Sequence, residues 1–300
     1  MSPEPTATEA AMRTDAESAQ LRVRRYAIET QRAARRTTMQ VVACQLALFA
    51  TFVGLWEVLT RVPWFVKHSF LDPFFISRPS LVAERIYAWT LGSQAGFIWP
   101  HLWSTVNATL IGLAVSVVTG FVAGLALSQR PRLARVLAPF ITAANSLPRI
   151  AFVPLITMIF GLGLLSKVVT AWFIVFFLVF FNTFKGGRSI EPHVVDFCRT
   201  LGASRHHLLW NVRVPFVLGW MFAALPNAVA FSLIGVVISE FVGSDTGMGY
   251  LIITSLSTLN ATDMFATITL LSILGIVLVA AIRMVEKRAM RWTPEFREPL

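Results

Sequence analysis

The sequence is poor in charged residues and in cysteine. Only 14% of its 300 residues are charged, and two are cysteines, Cys44 and Cys198. Soluble globular domains carry roughly 25% charged residues, and two cysteines do not make the disulfide framework of a small secreted scaffold. Because 55% of the residues are hydrophobic, the chain would expose large apolar patches in water, and the composition favours a bilayer as its solvent.

The sequence motifs of common nucleotide-binding and catalytic sites are also missing. None of the four lysines, Lys67, Lys167, Lys185 and Lys287, follows the G-x-x-x-x-G frame of a phosphate-binding loop. The five histidines lack zinc-site spacing, and neither G-x-S-x-G nor H-E-x-x-H occurs. We therefore expect no catalytic residue, no metal and no bound ATP in this chain, although an integral-membrane enzyme or assembly factor stays an alternative.

Six apolar segments are long enough to cross a bilayer. A spanning helix needs about 20 mostly apolar residues, because the hydrocarbon core is roughly 30 Å thick. The third segment is interrupted by Pro139, Pro148, Arg149 and Pro154. The pattern predicts an all-α, polytopic membrane protein. Its predicted spans are Met39–Thr60, Leu102–Ser128, Val136–Phe160, Val168–Phe184, Pro215–Phe241 and Met264–Ile282.

The basic residues predict the side of the membrane on which each connection lies. Twenty of the 26 Lys and Arg residues fall in segments 1–38, 129–135 and 185–213 and in the tail from Arg283, whereas five fall on the opposite side. By the positive-inside rule, this asymmetry places both termini in the cytoplasm. The net charge of +10 is therefore a topology signal. Its dispersal over four segments disfavours a nucleic-acid partner.

The same pattern divides the chain into four parts. Residues 1–38 form a cytoplasmic tail, in which Leu21–Arg36 is either a surface helix near anionic membrane lipid or a solvated segment. Residues 39–101 hold the first span and an outer loop with a short amphipathic helix at Ser80–Trp89. Residues 102–285 form the transmembrane core with a cytoplasmic loop at 185–214, and residues 286–300 form a second cytoplasmic tail.

The 185–215 connection predicts a helix, a glycine turn and a second helix. Pro192 suits the first turn of a helix, Gly202 its left-handed stop, and Ser204 the N-cap of the next helix. An apolar stripe with helical spacing runs along the first helix. The residues of this apolar stripe are Val194, Phe197, Cys198 and Leu201. The stripe either docks a cytosolic partner or packs against the protein's own helix ends.

This connection resembles the EAA loop of ATP-binding-cassette (ABC) importer permeases, whose pattern is E-A-A-x3-G-x9-I-x-L-P. Here Asp196-Phe197-Cys198 stands at the triplet, Gly202 follows after three residues, and Val212–Pro215 closes the pattern. The glycine and proline match, whereas the triplet has Asp for Glu and Phe-Cys for the two alanines. The resemblance implies that ATPase coupling involves Val194, Asp196, Phe197, Cys198, Leu201, Gly202, Ala203 and Pro215.

Further motifs in residues 100–285 resemble the nitrate/sulfonate/taurine branch of the same permeases. In chain order they are Ser146–Leu155, Phe160–Gly163, Ser166-Lys167, Phe181–Thr183, Thr200–Ser204, Ser239–Gly243 and Gly247–Ile252. The resemblance implies a type I importer permease in the plasma or inner membrane, which translocates a small anionic or organic solute. An extracytoplasmic solute-binding protein would deliver the solute, and two cytosolic ATPase subunits would bind ATP and Mg.

The resemblance places the coupling helix, the segment that contacts the ATPase, at 192–212. One such segment per chain and no internal repeat imply that two copies pair as a homodimer. An ion-coupled carrier or channel that works without an ATPase stays an alternative. It is disfavoured because Glu57 and Glu240 lie near the ends of their spans rather than at mid-depth, where carriers usually place ionisable groups.

Polar residues inside the spans are candidates for the solute path, because they are costly against lipid and usually face a cavity or the bundle interior. These candidates are Asn145, Ser146, Arg149, Asn182, Asn227 and Ser232. Arg149 either meets an anionic solute or gates the pore, or it snorkels or pairs with a backbone carbonyl. Glu240 and Asp245 either contact the binding protein or cap the Gly243–Gly249 loop.

Overall fold

The computed structural model describes Thr37 and residues 39–62 and 73–290. The predicted surface helix at Leu21–Arg36 lies outside the described residues, as do 291–300. The described residues contain helices and turns but no strand, which confirms the all-α prediction. The chain divides into two units, residues 1–69 and 70–300, and each is described by itself.

The first unit contains one apolar helix among its described residues. Helix α1, Met39–Leu59, has 21 residues, long enough to span a membrane, and confirms the first predicted span. Its C-terminal carbonyls are satisfied locally, since the Thr60 hydroxyl donates to the carbonyl of Trp56 at 2.9 Å. Arg61 pairs with Glu57 at 2.7 Å and places a positive charge at the negative end of the helix dipole.

The second unit holds eleven further α-helices among its described residues. They are α2 Pro73–Ile76, α3 Pro79–Thr90, α4 Ile98–Ser128, α5 Pro131–Ser146, α6 Val153–Phe160, α7 Leu164–Arg188, α8 Pro192–Thr200, α9 Arg205–Leu208, α10 Val214–Val242, α11 Met248–Ser257 and α12 Ala261–Ala289. A 3-10 turn, Arg149–Phe152, precedes α6, and a π-helical segment, Leu209–Arg213, joins α9 to α10. Proline opens α2, α3, α5 and α8, where its missing N–H costs no intrahelical hydrogen bond.

Four of the remaining predicted spans are confirmed as long apolar helices. They lie in α4, α7, α12 and the continuous stretch Arg205–Val242, which contains α10. The predicted amphipathic helix at Ser80–Trp89 is confirmed as α3. On this helix Val82 and Trp89 are buried against Met248 of α11 and Ala266 of α12.

The third predicted span, Val136–Phe160, is broken rather than continuous. Helix α5 and the Arg149–Phe160 stretch are bent by 77° relative to each other. The cause is Pro148, since a proline disfavours the α conformation of the preceding residue, and Leu147 is extended with ψ 135°. The two pieces make a sixth span only when they are counted together.

Glycines bring α4 and α7 into close contact along the centre of the second unit. A Cβ added at Gly112 would lie 2.5 Å from Cβ of Ala171, and one at Gly124 would lie 2.7 Å from the carbonyl oxygen of Phe180. Small residues that let helix backbones approach are typical of membrane interfaces. Around this contact, α10 and α12 complete the hydrophobic core, to which Val179, among others, contributes.

Candidate functional site

Helices α8 and α9 form a helix–turn–helix that follows the C-terminal end of α7. Helix α8 begins at Pro192, Gly202 has φ +85°, and the Ser204 hydroxyl accepts a hydrogen bond from the backbone N–H of His207 at 3.2 Å. The predicted start, left-handed stop and N-cap are all confirmed. The backbone of Ala203 donates to the carbonyl of Cys198 at 3.0 Å, which closes the turn.

The apolar stripe of α8 lies at the surface of the second unit. Phe197 is 65% exposed and Leu201 is 73% exposed, while Cys198 is half-buried. The inward side of α8 is held by Val195, which is buried. Within the described part of the chain, Phe197 and Leu201 therefore do not pack against the protein's own helix ends.

Charged side chains border the apolar stripe. Asp196 and Arg199 form an exposed ion pair at 3.3 Å, and His193 lies 2.7 Å from Glu191 in the first turn. An apolar centre with a polar rim is the usual anatomy of a protein interface. Pro215 is set apart from this surface, because it stands in the first turn of α10 beyond the π-helical segment.

A buried ion pair joins α7 and α10 at the opposite end of α7. Nζ of Lys167 lies 3.1 Å from Oε1 of Glu240, and their side chains are 2% and 0% exposed. The ammonium group also donates to the Ser104 hydroxyl at 2.9 Å and to the carbonyl of Thr246 at 2.6 Å. All three donors of the lysine are thereby used.

The carboxylate of Glu240 organises the loop between α10 and α11. It accepts hydrogen bonds from the Thr105 hydroxyl at 2.9 Å and from the backbone N–H of Gly249 at 2.8 Å. A Cβ at Gly247 would overlap this carboxylate, and Gly247 has φ +122°. Only glycine both adopts this positive φ without strain and leaves room for the carboxylate. Because Glu240 is buried, it has no surface to offer a binding protein, and its hydrogen bonds cap the Gly243–Gly249 loop. Asp245, in contrast, is exposed.

The pairing of Lys167 with Glu240 is the feature that sequence reasoning missed. The available signal was one basic and one acidic residue within long apolar segments, each costly in lipid unless paired. No group of three or more His, Cys, Asp or Glu is arranged to hold a metal ion in residues 39–62 and 73–290.

Arg149 connects the broken span to α7. One guanidinium nitrogen donates to the carbonyl of Ile174 at 2.9 Å, and another donates to the side-chain oxygen of Asn145. The guanidinium carbon lies 4.7 Å from the ring centre of Phe177, within the range of a cation–π contact. Arg149 therefore pairs with a backbone carbonyl, one of its predicted roles, and bridges the bend at Pro148.

Asn145 and Arg149 also line a cavity of about 370 Å³. Its other walls are apolar side chains of α7 and α10, including Phe181 and Phe231. Asn145 and Arg149 are the only predicted path residues that line this cavity in the described part of the chain.

The other four predicted path residues do not join them. Ser232 is buried and donates to the carbonyl of Thr109 at 2.8 Å, so it fastens α10 to α4. Ser146 and Asn182 each donate to a carbonyl four residues earlier in their own helix. Asn227 is exposed on α10.

The chain matches known proteins over most of its length. Residues 116–291 match the family described as binding-protein-dependent transport system inner membrane component. The chain is 28% identical over 244 residues to the formylaminopyrimidine transport permease protein ThiX of Halalkalibacterium halodurans, which covers 81% of this chain and 93% of that protein. It is 25% identical over 248 residues to the taurine transport system permease protein TauC of Escherichia coli, with 81% and 90% covered.

The fold also has a counterpart among solved structures. A chain of the MetNI methionine ABC transporter in an inward-facing conformation superposes with a TM-score of 0.51 and 22% identity, covering 64% of this chain and 97% of that chain. At this identity the likeness concerns the fold.

Proposed function

This chain belongs to the family of binding-protein-dependent transport system inner membrane components, and on that premise we propose that it couples to a cytosolic ATPase through α8. It is an ABC transporter permease subunit and a multi-pass membrane protein. The proposal adds the coupling surface, the partners, the sidedness and the class of solute.

The observation that carries the proposal is the exposed apolar stripe on α8. Phe197 and Leu201 are among the most exposed large side chains of the loop, although the positive-inside rule places this loop in the cytoplasm. Burying apolar surface gains about 25 cal/mol per Å², so a partner groove that receives these side chains gains affinity from them. Phe197 is the natural anchor, because aromatic residues at the centre of an interface dominate binding.

The helices that follow α8 in the chain support a mechanical connection to the opposite end of α10. Helix α9, the π-helical segment and α10 form one stretch of 38 residues, Arg205–Val242, about 57 Å long at 1.5 Å per residue. Its far end carries Glu240, which is fixed to Lys167 of α7. A displacement of α8 by the ATPase would therefore move α7 and α10 together at the opposite face.

We propose the following assembly. Two copies of the chain pair, since each has one α8 and closed two-fold symmetry then offers two coupling surfaces to two ATPase subunits. ATP and Mg bind to those subunits, and this chain serves as a transport subunit without catalysis of its own. Both termini are cytoplasmic. Asp245, exposed at the α10–α11 loop, faces the extracytoplasmic binding protein.

The solute is proposed to be a small organic or anionic molecule. The two relatives are named for formylaminopyrimidine and taurine transport. Asn145 and Arg149 are the proposed contacts in this chain, because they line a cavity beside the broken span and offer a fixed positive charge with an amide.

Co-purification tests the coupling surface. The unmutated chain, extracted in detergent from its own cells, is expected to retain a cytosolic ATPase, and Phe197→Asp is expected to lose it. Arg199→Asp is the matched control, because it puts the same side chain at an exposed position of α8 that helical spacing places on the opposite face from the stripe. Transport that proceeds without nucleotide, with no ATPase retained, would support the ion-coupled carrier instead.

A further inference from the structure

A narrow apolar groove lies between α4, α5 and α7. Its volume is about 350 Å³, and nine of its ten lining residues are apolar. The exception is Arg130, the N-cap residue of α5, two positions beyond the end of α4. The groove is therefore a hydrophobic slot with a single cation at one end.

The floor of the groove is built by phenylalanines of α7. The rings of Phe176 and Phe180 are stacked with their centres 5.9 Å apart, and Phe180 is buried against Leu127 of α4. Leu133 and Leu137 of α5 form the facing wall. A hydrocarbon ligand would therefore meet side chains on three sides.

The length of the groove suits an acyl chain. It runs along the last turns of α4 from Ala123 to Arg130, which lies just beyond the end of that helix, about 10 Å at 1.5 Å per residue. A hydrocarbon chain that lies along this length contacts the apolar side chains of α4, α5 and α7.

The charge at the mouth of the groove selects the headgroup. Arg130 is exposed at the end of a spanning helix, where lipid headgroups lie. The connection 129–135 also carries Arg132 and Arg135 and contains no acidic residue. Basic pockets between transmembrane helices bind anionic headgroups.

We propose that this groove is a binding site for an anionic phospholipid, with one acyl chain against Phe176 and Phe180 and the headgroup phosphate on Arg130. The site is independent of the coupling surface on α8. It fastens α5, the first half of the broken span, to α4 and α7 through a lipid chain.

Spin-labelled lipids test the proposal with the full-length protein in phosphatidylcholine vesicles. Phosphatidylglycerol or phosphatidylcholine, labelled near the end of an acyl chain, is added at equal mole fraction, and electron spin resonance measures the motionally restricted fraction. We expect phosphatidylglycerol to be preferred. Arg130→Gln should lower its relative affinity about fivefold. Arg132→Gln should lower it less, because Arg132 lies outside the groove lining.

A second pair of variants tests the groove itself. Ala126 lines the groove and is exposed, so Ala126→Phe fills it and should abolish the preference. Ala114→Phe, at an exposed position elsewhere on α4, is the control. Equal restriction of the two lipids in the unmutated protein would overturn the proposal. So would equal losses in Arg130→Gln and Arg132→Gln, or a preference that survives Ala126→Phe.

Discussion

Lys167 and Glu240 form an ion pair with 3.1 Å between Nζ and Oε1, and neither side chain is more than 2% exposed. The pair fixes the first turn of α7 to the last turn of α10. Both charges are out of contact with water, so each depends on the other. Removing one partner from such a pair typically costs about 3–5 kcal/mol, because the remaining charge stays buried.

Lys167→Met is therefore expected to destabilise the protein by about 3–5 kcal/mol. Glu240→Gln is expected to destabilise it less, because the amide oxygen of Gln still accepts hydrogen bonds. The double variant should be more stable than Lys167→Met alone, because it leaves no unpaired charge. Thermal unfolding in detergent measures all three. Additive losses would show that the two charges do not interact.

The loop that receives Glu240 should be equally sensitive to one methyl group. Gly247→Ala forces a side chain into a backbone with φ +122° and into the Glu240 carboxylate, and such strain costs on the order of 1–3 kcal/mol. Gly163→Ala is the matched control, because a Cβ there meets nothing within 4 Å. The unfolding temperature should fall for Gly247→Ala alone. A similar fall for both variants would mean that the close contact between Gly247 and the Glu240 carboxylate does not set the stability of this loop.

Arg149→Ala is expected to lower solute uptake about tenfold or more, since it removes charged hydrogen bonds of about 1.5–3 kcal/mol. The bridge from the broken span to Ile174 is lost in this variant. Arg149→Lys should give an intermediate rate, because lysine keeps the positive charge but lacks the planar guanidinium group that donates to two acceptors at once. The retained ATPase serves as the control and should be unaffected. Uptake equal to that of the unmutated protein would remove Arg149 from the path.

The turn after α8 gives a conformational prediction. Gly202 has φ +85°, a region that costs other residues roughly 1–2 kcal/mol, with Asn among the exceptions. Gly202→Val should therefore disturb α8 and weaken ATPase retention, whereas Gly202→Asn should retain most of it. Equal retention by the two variants would mean that the turn geometry does not position the coupling surface.

The boundaries of α8 could be predicted from sequence because they depend on local chemistry. Pro192, Gly202 and Ser204 each act on neighbouring backbone groups, and their spacing is sufficient to place the helix, the turn and the cap. Length and hydrophobicity likewise identify α4 and α7 as spans, although these helices begin at Ile98 and Leu164, each four residues before the predicted start.

The interruption of the third span could be predicted from its prolines, but the position of the bend could not. Pro139, Pro148 and Pro154 all lie in it, yet Pro139 stands inside α5, Pro154 in the first turn of α6, and only Pro148 accompanies the break. Local preference does not separate these outcomes, because neighbouring helices supply the contacts that hold the bend, such as the Arg149 hydrogen bond to α7.

The ion pair is a tertiary feature for a similar reason. Lys167 and Glu240 are separated by 73 positions, and their meeting requires the antiparallel packing of α7 and α10. Sequence reasoning placed Glu240 at a helix end with two possible roles, and burial decides between them.

Site-specific photocrosslinking can show directly whether α8 contacts an ATPase. A photoreactive amino acid at Leu201, on the exposed stripe, is expected to give an adduct with an ATP-hydrolysing cytosolic protein when cells are irradiated. The same probe at Trp99, an exposed apolar position in the first turn of α4, is expected to give none. Absence of an ATPase adduct at Leu201, or equal adducts at the two positions, would mean that α8 does not form the ATPase contact.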